Sequence, residues 1–147
     1  MNTRKASGIA LGFCAVGLLA AQLVQMPPLN TAPTGELSAP AAVRSLLERS
    51  CYDCHSVQTR WPWYSHVAPM SWLIYRDVEQ GRKQIDFSDW TIYRPITRMH
   101  KLQWMGRALR QESMPPLSYL LLHPRARLTA EDRALLERWI DQELARS

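Results

Sequence analysis

The chain has 147 residues, eighteen Lys and Arg against thirteen Asp and Glu, a formal net charge of +5 and three cysteines. That length holds one modest domain, since domains commonly run to ~100–150 residues. Two of the basic residues, Arg4 and Lys5, precede an apolar run; from Glu36 onward sixteen basic residues face thirteen acidic ones, an excess of +3 spread without a dense cluster, which excludes a nucleic-acid binder built on a basic patch.

The N-terminal segment, residues 1–25, reads as a signal peptide or membrane anchor. Ala6 to Val24 is nineteen residues without a charge, about 28 Å of helix at ~1.5 Å per residue, against a hydrocarbon core of roughly 30 Å. Leu18 or Leu19 stands where cleavage wants a small residue, which favours an uncleaved anchor. The basic residues ahead of the run keep the N-terminus cytoplasmic and send the rest across, to the periplasmic side of a bacterial inner membrane or free in the periplasm. Cys14 lies inside the run, and bulky Phe13 before it makes a poor lipoprotein site, so Cys14 is expected in lipid. Residues 26–38 read as an extended tether; the stretch "QMPPLNTAPTGELSAP" that contains them has four prolines.

The domain is expected over 39–147. Its first helix opens near Pro40, with Val43, Leu46 and Leu47 as an apolar stripe, and carries "CYDCHS" at its end. A second helix begins after Pro69 and weakens at Gly81. "DFSDW" reads as a turn with Ser88 as an N-cap. A third helix spans Ile96 to Glu112, and a last one starts from Thr129 as N-cap, with Asp132 at the third position and a stripe of Leu128, Leu135, Leu136, Trp139 and Ile140. No segment alternates as a strand does, so the fold class is all-α.

Export exposes thiols to an oxidising compartment, so a thiol pair there needs a role. Four readings compete for Cys51, Cys54 and His55. A thioredoxin-type site needs a βαβ setting that the helical flanks do not supply. A zinc site needs four ligands, and His66, His100 and His123 are scattered. A structural disulfide leaves His55 unexplained. C-x-x-C-H as a c-type haem attachment sequence uses all three: thiols three apart on a helical turn reach the two vinyl groups on one porphyrin edge, and the adjacent imidazole binds the iron. One covalently attached haem c is the expected cofactor.

The opposite iron face decides between electron carrier, gas binder and catalyst. Met99 and Met105 are explained as filler on the third helix. Met114, in "QESMPPLSY", precedes two prolines that stiffen its loop, and is the expected sixth ligand; Met70, in "VAPMSW", is its rival. Of the aromatic segment after the attachment site, Arg60, Trp61, Trp63 and Tyr64 are candidates either for packing or for holding haem propionates. Trp139 is expected in the core, and His123 to close the loop before Pro124 by bonding backbone.

With "CYDCHSVQTRWPWYSHVAPMSWLI" and "SMPPLSYLLLHPRARLTAEDRALLERWI" both in view, the chain resembles the small bacterial haem-binding domains related to class I cytochromes c, from about Ala42 to Ile140. The pattern C-x-D-C-H-S followed by R-W-P-W-Y recurs as Cys51, Asp53, Cys54, His55 and Ser56, then Arg60 through Tyr64. The resemblance implies a small cytochrome c-like helical domain around one haem, and a Met-Pro-Pro loop like the class I axial methionine loop.

The leading expectation is a monohaem cytochrome c that passes single electrons to an unidentified redox protein, with His55 and Met114 as ligands and no enzymatic activity of its own. A haem sensor or gas-binding module, in which Met114 is absent from the iron or leaves it, is a second class. A small peroxidase-like enzyme, with His100 or His123 as acid and base, is a third.

Overall fold

The structure, a computed structural model, describes residues 3–24, 26, 29 and 32–146. The N-terminal apolar run is helical, α1 (Thr3–Ala21). It takes in Arg4 and Lys5 and stops three residues before Val24, and among the described residues no helix is long and apolar enough to cross a membrane. The expected spanning helix is therefore not met. Gln22, just past α1, brackets the Ala68 backbone, its Nε2 donating to the carbonyl at 3.2 Å and its Oε1 accepting the N–H at 3.0 Å. Residues 25, 27, 28, 30 and 31 of the proline-rich stretch lie outside the described residues.

The body is helical: α2 (Ala41–Ser50), the single turn α3 (Tyr52–His55), α4 (Met70–Gln84), α5 (Pro95–Arg110), α6 (Leu117–Leu122) and α7 (Ala130–Ala145), with short 3-10 turns at Trp63–His66, Trp90–Ile92 and Pro124–Ala126. Among the described residues there is no strand, only an isolated parallel bridge between Gly35 and Asp89. The chain joins the body ahead of Ala39. Gly35 N–H donates to the Ser88 carbonyl, Leu37 N–H to the Phe87 carbonyl at 2.7 Å, and Leu37 is buried. A side chain at Gly35 would collide with Thr91.

The stripes read from the sequence form the core. Val43, Leu46 and Leu47 of α2 meet Leu102, Met105 and Leu109 of α5 and Leu136, Trp139 and Ile140 of α7, all buried. Leu128 is buried beneath α7, while Leu135 is only partly so. The start of α7 is fixed by a full capping box: Thr129 Oγ1 accepts Asp132 N–H at 3.1 Å, and Asp132 Oδ2 accepts Thr129 N–H at 3.0 Å. The same carboxylate oxygen takes Arg49 Nη2 at 2.6 Å, which ties α7 to α2.

Two local expectations are corrected. Ser88 does not cap a helix. Its hydroxyl accepts Val57 N–H at 3.1 Å and its N–H donates to Asp86 Oδ1 at 2.8 Å, so it is a buried link between two loops, and the following 3-10 turn starts after Asp89. Nor does α4 weaken at Gly81. The helix runs on to Gln84, and the missing side chain serves packing, because a Cβ at Gly81 would stand 2.6 Å from the Cys54 carbonyl oxygen. Only glycine lets α4 lie this close to α3.

Gly81→Ala should therefore destabilise the fold by about 1–3 kcal/mol, the range for overpacking against an unyielding neighbour. Gly106→Ala should be neutral or slightly stabilising, since its Cβ would meet the mobile end of Arg110 at 3.3 Å and helix propensity favours Ala by about 1 kcal/mol. Urea unfolding of the two variants beside wild type checks the contrast.

Candidate functional site

The C-x-x-C-H turn owes its shape to two backbone hydrogen bonds onto one carbonyl: Cys54 N–H at 3.2 Å and His55 N–H at 3.0 Å both reach Cys51 O. Cys51 and Cys54 stand three apart, so their side chains fall on the same face of the turn. That face lines a cavity of about 800 Å³. Its other walls come from α4, from α5, and from the segment between Met114 and His123.

His55 is buried, with Nδ1 3.0 Å from the Ile85 carbonyl. A carbonyl can only accept, so Nδ1 carries the proton and Nε2 keeps its lone pair. Burial pushes the imidazole pKa down, against the carbonyls of Ile85 and Gly81, which favour the protonated ring. The ring is thus a neutral imidazole of fixed tautomer, the arrangement in which histidine binds a metal. Phe87 and Trp104 flank it at centroid distances of 6.0 and 6.2 Å.

Cys51 and Cys54 carry free thiols. Burial pushes Cys51 up to about 12 and Cys54 up to about 11, with each also opposed by a neighbouring negative charge, that of Cys54 for the first and of Asp53 for the second. A redox-active cysteine pair has the opposite bias, toward thiolate. These are thiols held neutral against an apolar cavity.

Met114 is half-buried and lines the same cavity. It is delivered there by the end of α5: Glu112 adopts φ 52°, which turns the chain so that Ser113 N–H returns to the Ala108 carbonyl at 3.1 Å. Met70, the first residue of α4, lines the cavity as well and is 39 % exposed. The structure thus brings Cys51, Cys54, His55 and both methionines around one space. Its volume falls in the ~300–1,000 Å³ range of cofactor pockets. Soft thioethers, a lone-pair imidazole and two thiols on one turn fit a haem edge and its iron.

Arg60 and Tyr64 line the cavity; Trp61 and Trp63 do not, and Trp63 is 78 % exposed, edge-on to Tyr64. The Arg60 guanidinium is engaged by Asp53, Nε to Oδ1 at 3.1 Å and Nη2 to Oδ2 at 3.3 Å, and its backbone N–H adds a third bond at 3.1 Å. Sequence reasoning assigned no role to this aspartate, nor to its other partner Tyr119, whose hydroxyl donates to Oδ2 at 2.7 Å. Burial pushes the Asp53 carboxyl up, but the hydrogen bonds from Arg60 and Tyr119 outweigh it and leave the pKa lowered. Asp53 sits between the two cysteines, so this carboxylate latches the C-x-x-C-H turn to α6, through Tyr119, five residues beyond Met114. The embedded Asp of C-x-D-C-H was its only sequence signal.

His123 bonds backbone as expected, Nδ1–H to the Tyr119 carbonyl at 3.1 Å. Its Nε2 is then the acceptor for the Tyr64 hydroxyl at 3.2 Å, and its ring stacks on Tyr119 at 4.1 Å. His123 lines the cavity; His100 lies on a separate surface hollow, and His66 is exposed.

Residues 12–142 match the family described as the haem-binding domain. Among characterised proteins, cytochrome c peroxidase Ccp of Escherichia coli (strain K12) is 26% identical over 106 residues, which cover 68% of this chain and 22% of that protein. The chain therefore matches less than a quarter of that relative's length. No solved structure matches.

Tyr119→Phe removes a hydrogen bond to a charged, buried carboxylate and should cost about 1.5–3 kcal/mol of stability. Arg60→Ala, on a largely exposed guanidinium, should cost less than Tyr119→Phe. Urea denaturation of both variants at neutral pH checks the order.

Proposed function

The chain belongs to the haem-binding domain family, and from that premise we propose that it is an exported monohaem c-type cytochrome that passes single electrons between redox proteins, not an enzyme. Cys51 and Cys54 would hold the porphyrin through thioethers, and His55 and Met114 would supply the imidazole and the thioether to its iron. The observation that carries this reading is the C-x-x-C-H turn facing one apolar cavity, with His55 Nδ1 bonded to the Ile85 carbonyl and Met114 lining the same cavity. The haem supplies a one-electron couple between ferric and ferrous iron. The rest is the work of the chain's own residues. The Ile85 carbonyl orients the imidazole and strengthens Nε2 as a donor. A thioether from Met114 would serve as a soft further ligand, which would raise the potential and shut out other ligands. Arg60, at the cavity wall, is the residue proposed to face a propionate, with the guanidinium N–H groups that Asp53 and the Glu48 carbonyl leave over.

The charge order at the N-terminus, Arg4 and Lys5 ahead of the apolar run, supports export to the periplasm.

A peroxidase-like reading draws on the similarity to a peroxidase and on His123 in the cavity wall. It is the weaker one. Both His123 nitrogens are engaged, one by the Tyr119 carbonyl and one by the Tyr64 hydroxyl, so the ring is not free to shuttle a proton. A gas-sensing module would need Met114 to leave its place.

Expression with a cytochrome c maturation system should give protein heavier by one haem that survives denaturation, and Cys51→Ala with Cys54→Ala should abolish that mass gain. Met114→Ala should remove the weak red absorption band of the oxidised protein and open the reduced protein to carbon monoxide; Met70→Ala should do neither. If Met70→Ala opens the iron instead, the two methionines exchange roles. Carbon monoxide binding by wild type would replace the carrier with the sensor, and turnover of hydrogen peroxide lost in His123→Ala would replace it with the peroxidase.

A further inference from the structure

Like Gln84, Trp104 lines both the cavity and a second, shallower hollow between α4 and α5. On the inner side its ring centroid is 6.2 Å from that of His55. On the outer side the hollow is rimmed by Lys83, His100, Lys101 and Arg107, with no acidic residue in its lining. The charge has a structural origin. Over Pro95–Arg110 the sequence carries Arg98, Lys101, Arg107 and Arg110 and no Asp or Glu. Among the described residues no ion pair involves any residue of α5; the pairs lie elsewhere, on Arg44, Arg49, Arg60 and others. Lys83 shares its charge with Glu79 at 3.1 Å.

The cations do not converge on a point. Lys101 Nζ is held by the Gln84 carbonyl at 2.6 Å and lies over the Tyr93 ring at 4.4 Å, and Arg107 is exposed a helical turn and a half further on. Charges spread over a helix face in this way suit a broad complementary surface. Trp and Arg are also the residue types enriched at protein contacts.

We infer that this face of α5, centred on Trp104, is the docking site for a redox protein that presents a carboxylate-rich surface, with Trp104 as a packed link from that surface to His55. The inference rests on the electron-carrier reading above. In the transfer, the iron passes from ferrous to ferric as one electron leaves, and the partner's own one-electron metal centre takes it up; no bond forms or breaks and no proton moves.

The test uses the haem-loaded full chain. Hexacyanochromate(III), a redox-inert paramagnetic trianion, is titrated into isotope-labelled protein and amide line broadening is mapped by NMR; ferricyanide, of the same charge and shape, then oxidises the reduced protein in stopped flow. Broadening should centre on Thr97, His100, Lys101, Trp104 and Arg107. Lys83→Glu with Arg107→Glu should erase it and slow oxidation about tenfold at low ionic strength, a difference that closes in high salt. The visible spectrum should not change. Arg138→Glu on α7, an equal charge change elsewhere, should have a much smaller effect, and Trp104→Phe should keep the broadening but slow the oxidation. Broadening centred elsewhere, or a double variant no slower than Arg138→Glu, overturns the docking site. So does sedimentation with phosphatidylglycerol vesicles that the double variant loses while oxidation stays unchanged, which would assign the face to a membrane. A wild-type protein without covalent haem fails at the spectrum and sinks the carrier reading as a whole, whereas haem present with the anion elsewhere sinks this inference alone.

Discussion

The imidazole of His55 is held by a carbonyl thirty residues further along the chain. A buried imidazole N–H left without a partner would cost about 1–3 kcal/mol, so the C-x-x-C-H turn depends on Ile85 being in place. Residues 85–88 are correspondingly over-determined. Phe87 N–H donates to the His55 carbonyl at 2.8 Å, Ser88 Oγ takes Val57 N–H, and the carbonyls of Phe87 and Ser88 receive Leu37 and Gly35. Phe87 is fully enclosed and stacks on Tyr52 at 5.5 Å. A short irregular segment thus takes the place that a sheet would fill in another fold. It pins the C-x-x-C-H turn on one side and the N-terminal extension on the other.

The helices divide their burial unequally around that segment. α2, α5 and α7 bury whole stripes in the core, but α4 buries only Val78 and α6 buries none of its residues. Both instead contribute apolar side chains to the cavity wall, Leu73 and Ile74 from one and Leu122 from the other. Binding a large flat apolar group there adds to the burial of α4 and α6 more than to that of the other three, and any ligand that binds only the folded state stabilises it by linkage. The latch from Tyr119 to Asp53 reinforces the coupling, since it joins α6 directly to the turn that holds the cysteines.

What could be read from the chain alone was what is encoded within a turn of helix. The stripe Val43, Leu46, Leu47, the Thr129–Asp132 box and the spacing of Cys51, Cys54 and His55 are signals of three or four residues, and each is found in the structure as a local feature. Gly81, Ser88 and Tyr119 misled or stayed silent because their roles are set by partners 27, 31 and 66 residues away. A glycine near a helix end resembles a terminator, and a serine before a short turn resembles a cap, until the opposing backbone is in place. The family resemblance carried Asp53 in its motif without the reason for it, which is the pair of partners, Arg60 and Tyr119, that keep it ionised.

Charge follows the same rule. Along the sequence the basic residues are dispersed, and an excess of +3 after Glu36 gives no direction. Folding supplies one, because the acidic residues are consumed unevenly: Glu36 and Glu48 face Arg44, Asp132 faces Arg49 and Asp53 faces Arg60, while α5 meets none. Exposed pairs of this kind contribute little stability, typically ~0–1 kcal/mol, yet each cancels a field over the ~10 Å that salt leaves unscreened. The α5 side of the hollow around Trp104 is one place that escapes this cancellation, although Lys83 on its rim is paired with Glu79. A small net charge can therefore orient an encounter when its pairing is lopsided.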